Sequence, residues 1–263
     1  MHSPVADPQF GGLRICHLGE TPYREGLRIQ EALVSERAEG KTGDWLLFPD
    51  HPPVLTVGRS PSPGSLKVDA EWLSRMGIEV FEVSRGGDIT WHGPGQLVGY
   101  PIVDLTARGR DLHRFLRDLE EALIRTLRAF GVTGRRWPGR TGVWVGEEKI
   151  ASIGIAVRRW VSYHGFALNV APELESFELI HPCGLRDIRM TSLAAQLKER
   201  APGLPEVRST VARDLADQLG VGEIRWVPAR QVRRETRAEG EPEARVGAAT
   251  EQETELEDHV IWR

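Results

Sequence analysis

Cys183 is the residue of this chain best suited to act as a nucleophile. It lies in His181-Pro182-Cys183-Gly184-Leu185, between a proline and a glycine and outside any periodic apolar run. Most cysteines of reducing compartments are small buried hydrophobes. A thiol on a constrained turn ionises more readily if a cation such as Lys149 is near, and the thiolate can then attack an acyl carbon. Zinc is a poor alternative: His181 and Cys183 lie too close in sequence to match the usual ligand pairs, and no second cysteine pair exists, so no metal is expected. Lys149 opens the run Lys149-Ile150-Ala151-Ser152-Ile153-Gly154. A lysine at a strand mouth is usually a solvated edge charge. The alternative is an amine held beside a reacting centre, where it moves protons. His164, in His164-Gly165-Phe166-Ala167-Leu168-Asn169, is open to two readings, a hydrogen-bonded core histidine or a site residue. The third segment, Arg85 to Gln96 (RGGDITWHGPGQ), surrounds an arginine, a threonine and a histidine with four glycines and a proline. Glycine there permits close backbone approach to a ligand, although such turns are more often only turns. The spacing is that of neither a P-loop nor a dinucleotide fingerprint.

Taken together and in this order, RGGDITWHGPGQ, KIASIG with HGFALNV, and PCGL followed by Thr191-Ser192-Leu193 resemble the signature segments of the octanoyltransferase family that makes lipoate precursors. The similarity spans roughly Trp45 to Leu219. Trp91 stands where the family has tyrosine or another ring. The resemblance implies an α/β (α+β) fold, a mixed β-sheet with packed helices similar to the catalytic domain of biotin and lipoate protein ligases. It implies a Cys–Lys dyad, with Cys183 as the acyl-thioester nucleophile, Lys149 as the lysine that activates it, and no cofactor. Its substrate-binding segments match Arg85, Gly86, Gly87, Asp88, Ile89, Thr90, Trp91 and His92, then Ser152, Ile153 and Gly154, then His164, Gly165 and Phe166. The implied donor is octanoyl-acyl carrier protein. The implied acceptors are the lipoyl domains of 2-oxoacid dehydrogenase subunits and the glycine cleavage H protein.

The chemistry agrees with those roles. A thioester donor is already activated, so thiol exchange needs no ATP, and attack by the acceptor amine runs downhill. Lys149 can take a proton in each half-reaction. Backbone N–H groups of the glycine-rich and PCGL turns are expected to hold the oxyanion, and Ile153 and Phe166 to line an acyl slot. Two rivals stand beside this reading. An ATP-dependent lipoate ligase needs a nucleotide site and no cysteine nucleophile. A non-enzymatic adaptor for carrier domains needs neither Cys183 nor Lys149.

The elements that must position these residues can be read from the pattern. Helices are expected from about Tyr23 to Glu39, Asp69 to Met76, Leu112 to Phe130, Thr191 to Arg200 and Glu206 to Leu219. The third has Leu112, Phe115, Leu116, Leu119, Ala122, Leu123 and Leu127 on one face, with Asp111 as cap. Strands are expected at Asp44–Asp50, Pro53–Arg59, Glu79–Ser84, Gly142–Val145, Ile150–Val157, Val161–Val170 and Glu223–Val227. Hairpin-like neighbours without steady alternation favour a mixed or antiparallel sheet. The 263 residues, 40% hydrophobic and 27% charged, fit one catalytic domain over 1–229. The segment 230–263 reads as an acidic, disordered tail. From Glu235 to Asp258 nine acidic residues face Arg237 and Arg245, a net of −7, which leaves residues 1–234 at +2. That balance is far from a nucleic-acid binder; clusters such as Arg135-Arg136 and Arg158-Arg159 are a solvated face or a dock for an acidic partner. No stretch is long and apolar enough for a membrane helix, no signal pattern opens the chain, and two cysteines make no disulfide framework, so a cytoplasmic setting is expected.

Overall fold

A computed structural model describes residues 10–181 and 188–237. Strands β1 (Leu13–Glu20), β2 (Asp44–Asp50), β3 (Val54–Val57), β4 (Glu79–Glu82), β5 (Ile89–His92), β6 (Gln96–Ile102), β7 (Arg135–Trp137), β8 (Arg140–Val145), β9 (Glu148–Arg158), β10 (Val161–Asn169) and β11 (Ile224–Trp226) form two sheets. The larger runs β11-β1-β2-β6-β10-β9-β8-β7 and the smaller β4-β3-β5. β1 pairs in parallel with β2 and β11, and β3 with β4; the other ladders are antiparallel, so both sheets are mixed, as expected.

Six α-helices, α1 (Tyr23–Ala38), α2 (Ala70–Arg75), α3 (Leu112–Ala129), α4 (Leu193–Leu197), α5 (Leu204–Gln218) and α6 (Ala229–Glu235), complete the described fold. Side-chain caps start α2 and α3: Asp69 accepts from the Trp72 N–H at 2.7 Å and Asp111 from the Arg114 N–H at 2.9 Å. The apolar stripe of α3 (Phe115, Leu119, Leu123 and Leu127) packs with Val211 and Leu215 of α5 and with the Leu97–Phe166–Ile155 face of the large sheet. The opposite face (Val98, Tyr100, Ile102 and Ala167) packs against Ile29 and Leu33 of α1 and Val232 of α6. A third cluster, with Leu55, Ile89, Trp91 and Phe177, belongs to the small sheet.

The two sheets meet through backbone. The Gly86 N–H donates to the Ile155 carbonyl of β9 at 3.1 Å. A Cβ on Gly154 would stand 2.8 Å from the Gly86 carbonyl oxygen, and one on Gly165 would strike the Gly99 carbonyl. Glycine at 154 is what lets the loop lie on the sheet, and glycine at 165 lets β10 approach β6.

The sequence reading did not identify β1, β5, β6, β7 or α6. The expected tail boundary at 230 falls inside the packed body. Val232 is fully buried, and the Arg233 guanidinium donates to Glu25, to the Leu18 and Glu20 carbonyls and to the Thr21 hydroxyl. One apolar anchor in an otherwise polar run is invisible to composition but enough to dock a short helix. A chain ending at residue 228 is therefore expected to lose about 2–4 kcal/mol of stability in urea unfolding, from one buried valine and the Arg233 hydrogen bonds. A chain ending at residue 237 should unfold like the full-length protein. Equal midpoints for the two truncations would show that α6 does not brace the fold.

Candidate active site

The Arg85–His92, Lys149–Gly154 and His164–Phe166 segments converge on one narrow pocket with room of about 50 Å³. It lies on the α1 face of the large sheet, under the Arg85–His92 segment. Its walls include Arg85, Gly86, Gly87, Asp88, Ile89, Thr90 and His92; Lys149, Ser152, Ile153 and Gly154; and His164, Gly165 and Phe166. Of the expected binding residues, Trp91 alone is not in the wall. Successive strand residues point to opposite sides, so Trp91 turns into the small-sheet core, its ring 5.5 Å from that of Phe177. Tyr23, Tyr100 and Ala167 line the pocket without having been singled out. Tyr100 sits on β6, a strand the sequence pattern did not disclose, and Tyr23 opens α1.

Alternation also sorts the floor. Ile153 and Phe166 border the pocket yet belong to the main core, where the Phe166 ring covers Gly99. The pocket face of β9 and β10 is made instead by Ser152, Gly154, Gly165 and Ala167, a groove of small residues. Gly86 is not an oxyanion donor in this arrangement, because its N–H is committed to Ile155.

Lys149 is buried, with 2% of its surface exposed. Its Nζ lies 5.7 Å from the Trp144 ring centroid, a cation–π distance. The stem runs beside Gly142, where a Cβ would stand 2.8 Å from Cε and 3.4 Å from Nζ; glycine with φ of 125° makes the room. The Gly142 N–H donates in turn to the buried Glu120 carboxylate at 3.1 Å, which also accepts from Arg136 at 3.1 Å. Cys183 lies outside the described residues. Its flanks do not: the His181 N–H donates to the Ser65 carbonyl at 2.7 Å, and residues 189–191 pair with Lys149. Lys149 N–H donates to the Arg189 carbonyl, and Thr191 N–H to the Lys149 carbonyl, both at 2.9 Å. Asp88 ties the near flank to the glycine-rich loop by accepting from the Ser65 hydroxyl and the Ser62 and Ile89 N–H groups. Cys16 is fully buried in β1, and burial pushes its thiol up to about 12.

Arg85 is the buried cation of the inner end. Its guanidinium donates to the Thr56 carbonyl at 2.6 Å, to the Thr56 hydroxyl and to the Gly86 carbonyl at 3.0 Å. Around it stand groups held neutral. Desolvation lowers His51 to about 4, His92 to about 3 and His164 to about 3; the Arg85 charge adds to the shift of the last two. Burial pushes Tyr23 up to about 12 and Tyr100 well above its ordinary 10.

The protons of this wall are fixed by backbone carbonyls, which only accept. Asn169 Nδ2 donates to the Thr191 carbonyl at 3.0 Å, so Oδ1 receives Gln96 Nε2 at 3.0 Å. Gln96 Nε2 also reaches the Trp91 carbonyl, so Oε1 faces His92, whose Nδ1 carries the proton. In the same way His51 Nδ1 donates to the Thr21 carbonyl at 2.7 Å, and Nε2 accepts from the Tyr100 hydroxyl at 2.8 Å.

Comparison with known proteins defines the class. The fold is that of lipoate-protein ligase catalytic domains. A lipoate-protein ligase A bound with ATP superposes with a TM-score of 0.69 at 20% identity, over 85% of this chain and 93% of the other. The lipoate protein ligase of Thermoplasma acidophilum, solved with its E2 lipoyl domain, gives 0.66 at 21% identity, over 85% and 91%. A family model of the lipoyl protein ligase A/B catalytic domain matches residues 22–216. Within that class, the octanoyltransferase of Caldicellulosiruptor bescii is 53% identical over 183 residues, 69% of this chain and 80% of the relative. That of Geobacter metallireducens is 51% identical over 200 residues, 76% and 90%. The chain belongs to the octanoyltransferase family and is an acyltransferase of lipoate biosynthesis. An adaptor without enzymatic activity is thereby set aside. Among the described residues no helix is long and apolar enough to cross a membrane.

The neutral histidines have a measurable cost in acid. Each binds fewer protons in the folded than in the unfolded chain between its depressed pKa and about 6.5, so its contribution is complete above pH 6.5 and fades as pH falls toward about 4 for His51 and about 3 for His92 and His164. At pH 5 each is expected to cost about 1–2 kcal/mol of stability. Urea midpoints should fall from pH 7 to pH 5, and the imidazole NMR signals of His51, His92 and His164 should not titrate above pH 5. A titration near 6.5 from all three would contradict their neutral burial.

Proposed function

We propose that the enzyme takes an octanoyl group from octanoyl-acyl carrier protein onto Cys183 and passes it to the acceptor lysine of lipoyl domains, including those of 2-oxoacid dehydrogenase subunits and the glycine cleavage H protein. The observation that carries this reading is the buried Lys149 amine at the edge of a pocket floored by Ser152, Gly154, Gly165 and Ala167. An alkyl chain fits a groove of small residues. The amine is paired through its own backbone to residues 189–191, and Cys183 stands two residues after the His181 anchor in sequence. In the first half-reaction the Cys183 thiol gives its proton to Lys149, attacks the donor carbonyl and releases the carrier thiol, which takes the proton. In the second the substrate lysine attacks the acyl-enzyme, and its surplus proton leaves through Lys149 as the Cys183 thiolate departs. The alternative, ATP-dependent ligation, needs no acyl-enzyme, and the ligases it rests on are only about 20% identical.

The test is intact mass after mixing with octanoyl carrier protein in the absence of ATP. One octanoyl adduct per chain is expected, mapping to Cys183 and absent from Cys183→Ala and Cys183→Ser. Cys16→Ala should keep it, because the Cys16 thiol is buried and protonated. Lys149→Ala should slow both half-reactions by at least ~100-fold, in the range general acid–base groups supply. An adduct on Cys16, or octanoyl transfer that requires ATP, overturns the reading.

A further inference from the structure

We infer that His164 is the end stop of the acyl slot and sets the chain length the enzyme accepts; the inference rests on the proposed acyl transfer. His164 sits in the middle of β10 with φ of 55°, left-handed backbone that a non-glycine residue pays to adopt. The consequence is a break in alternation. Tyr163, Gly165 and Ala167 face the pocket side, and His164 should face the main core with Phe166. The left-handed step instead turns its imidazole into the pocket wall beside Tyr163, ring centroids 4.8 Å apart. The ring is 2% exposed, and its Nδ1 has no hydrogen-bond partner. The same left-handed residue donates its backbone N–H to the buried Gln30 Oε1 of α1 at 2.8 Å. The ring is thereby held at the pocket wall, where it meets what enters.

Its place along the slot fits an acyl chain. The Lys149 stem passes Gly142, which lies against the Ala151 carbonyl, so the amine stands near the level of Ala151 and Ser152. His164 pairs with Ile155. The three to four residues between those levels rise roughly 10–13 Å. An extended eight-carbon acyl chain, seven bonds of about 1.5 Å in zigzag, is roughly 9 Å long. With the thioester sulfur and the van der Waals radius of the end methyl added, it reaches roughly from the level of the amine to the imidazole. There the ring is backed by Ser84 Oγ, 3.3 Å from Nε2, and Gly154 is closed by Gly86 and the Arg85 stem. A shorter chain leaves this end unfilled; a longer one meets a ring that its backbone holds in place.

The test compares acylation of the wild type and of His164→Gly by octanoyl, decanoyl and dodecanoyl N-acetylcysteamine thioesters, followed by intact mass. Glycine suits the left-handed backbone and removes the ring. The wild type should prefer octanoyl, and the decanoyl-to-octanoyl ratio of kcat/KM should rise about 10-fold or more in the variant. A uniform fall across all three lengths overturns the end stop while leaving acyl transfer intact. Absence of acylation of the wild type by any of the three removes both. Should His164→Gly fail to fold, a wild-type chain acylated with an eight-atom chain ending in a diazirine gives the answer: photolabelling of His164 or Arg85 supports the stop, and labelling elsewhere overturns it.

Discussion

The site depends on one close approach. Gly86 lies against β9, bonded to the Ile155 carbonyl at 3.1 Å, and only because residue 154 carries no side chain. A Cβ on Gly154 would lift the Arg85–His92 segment off the large sheet, and one on Gly165 would push β10 away from β6. With the segment seated, Arg85 is buried, His92 and His164 are stripped of water, and the groove between the sheets is closed on its long side. Gly87 and Gly95 serve left-handed turns, but Gly154 sets the thickness of a joint between two sheets.

From that joint, hydrogen bonds run to the described residues on both sides of the Cys183 segment. On one side Asp88 holds Ser65, which holds His181. On the other, His92, Gln96, Asn169 and Thr191 form a chain that ends on the Lys149 carbonyl. Asn169 and Gln96 touch neither end of the reaction, yet they hold two remote segments at a fixed spacing. Catalytic geometry needs that kind of support, because a displacement of about 1 Å can cost two orders of magnitude in rate.

Much of this was legible in the residues. Capped, periodic helices such as α3 stood out because apolar spacing and cap chemistry are local. The glycine-rich, Lys149 and His164 segments stood out because they mix reactive types with backbone freedom. What did not show was set by partners distant in sequence. β6 (QLVGYPI) is buried on both sides, so it carries no alternation to read, and Tyr100 went unnoticed with it. β5 hides inside what looked like a loop. Trp91 was placed with the binding residues because the motif contains it, whereas strand alternation turns it into the small core. Ile153 and Phe166 border the pocket as expected, but their smaller neighbours make its face, which alternation shows only once the strands are placed. Helix α6 was lost in a compositional average that one buried valine overrides.

The proton chain through His51 and Tyr100, and that through Asn169, Gln96 and His92, has a consequence for ligand chemistry. The hydrogens of His51, Tyr100, His92 and Gln96 along it are already given to acceptors within the wall, and the backbone carbonyls of Thr21, Trp91 and Thr191 keep them so. To an alkyl chain this stretch of the wall, His51, Tyr100 and His92, is quiet, with ring faces and lone pairs. To an inhibitor it is asymmetric. A carbonyl or sulfonyl directed at His92 or Tyr100 meets acceptor against acceptor and is repelled. An amide N–H or a hydroxyl in the same place finds an acceptor whose orientation the protein has already fixed. Tight binders of this pocket should therefore carry hydrogen-bond donors on their inner edge, the reverse of what a histidine- and tyrosine-rich wall would lead a chemist to draw.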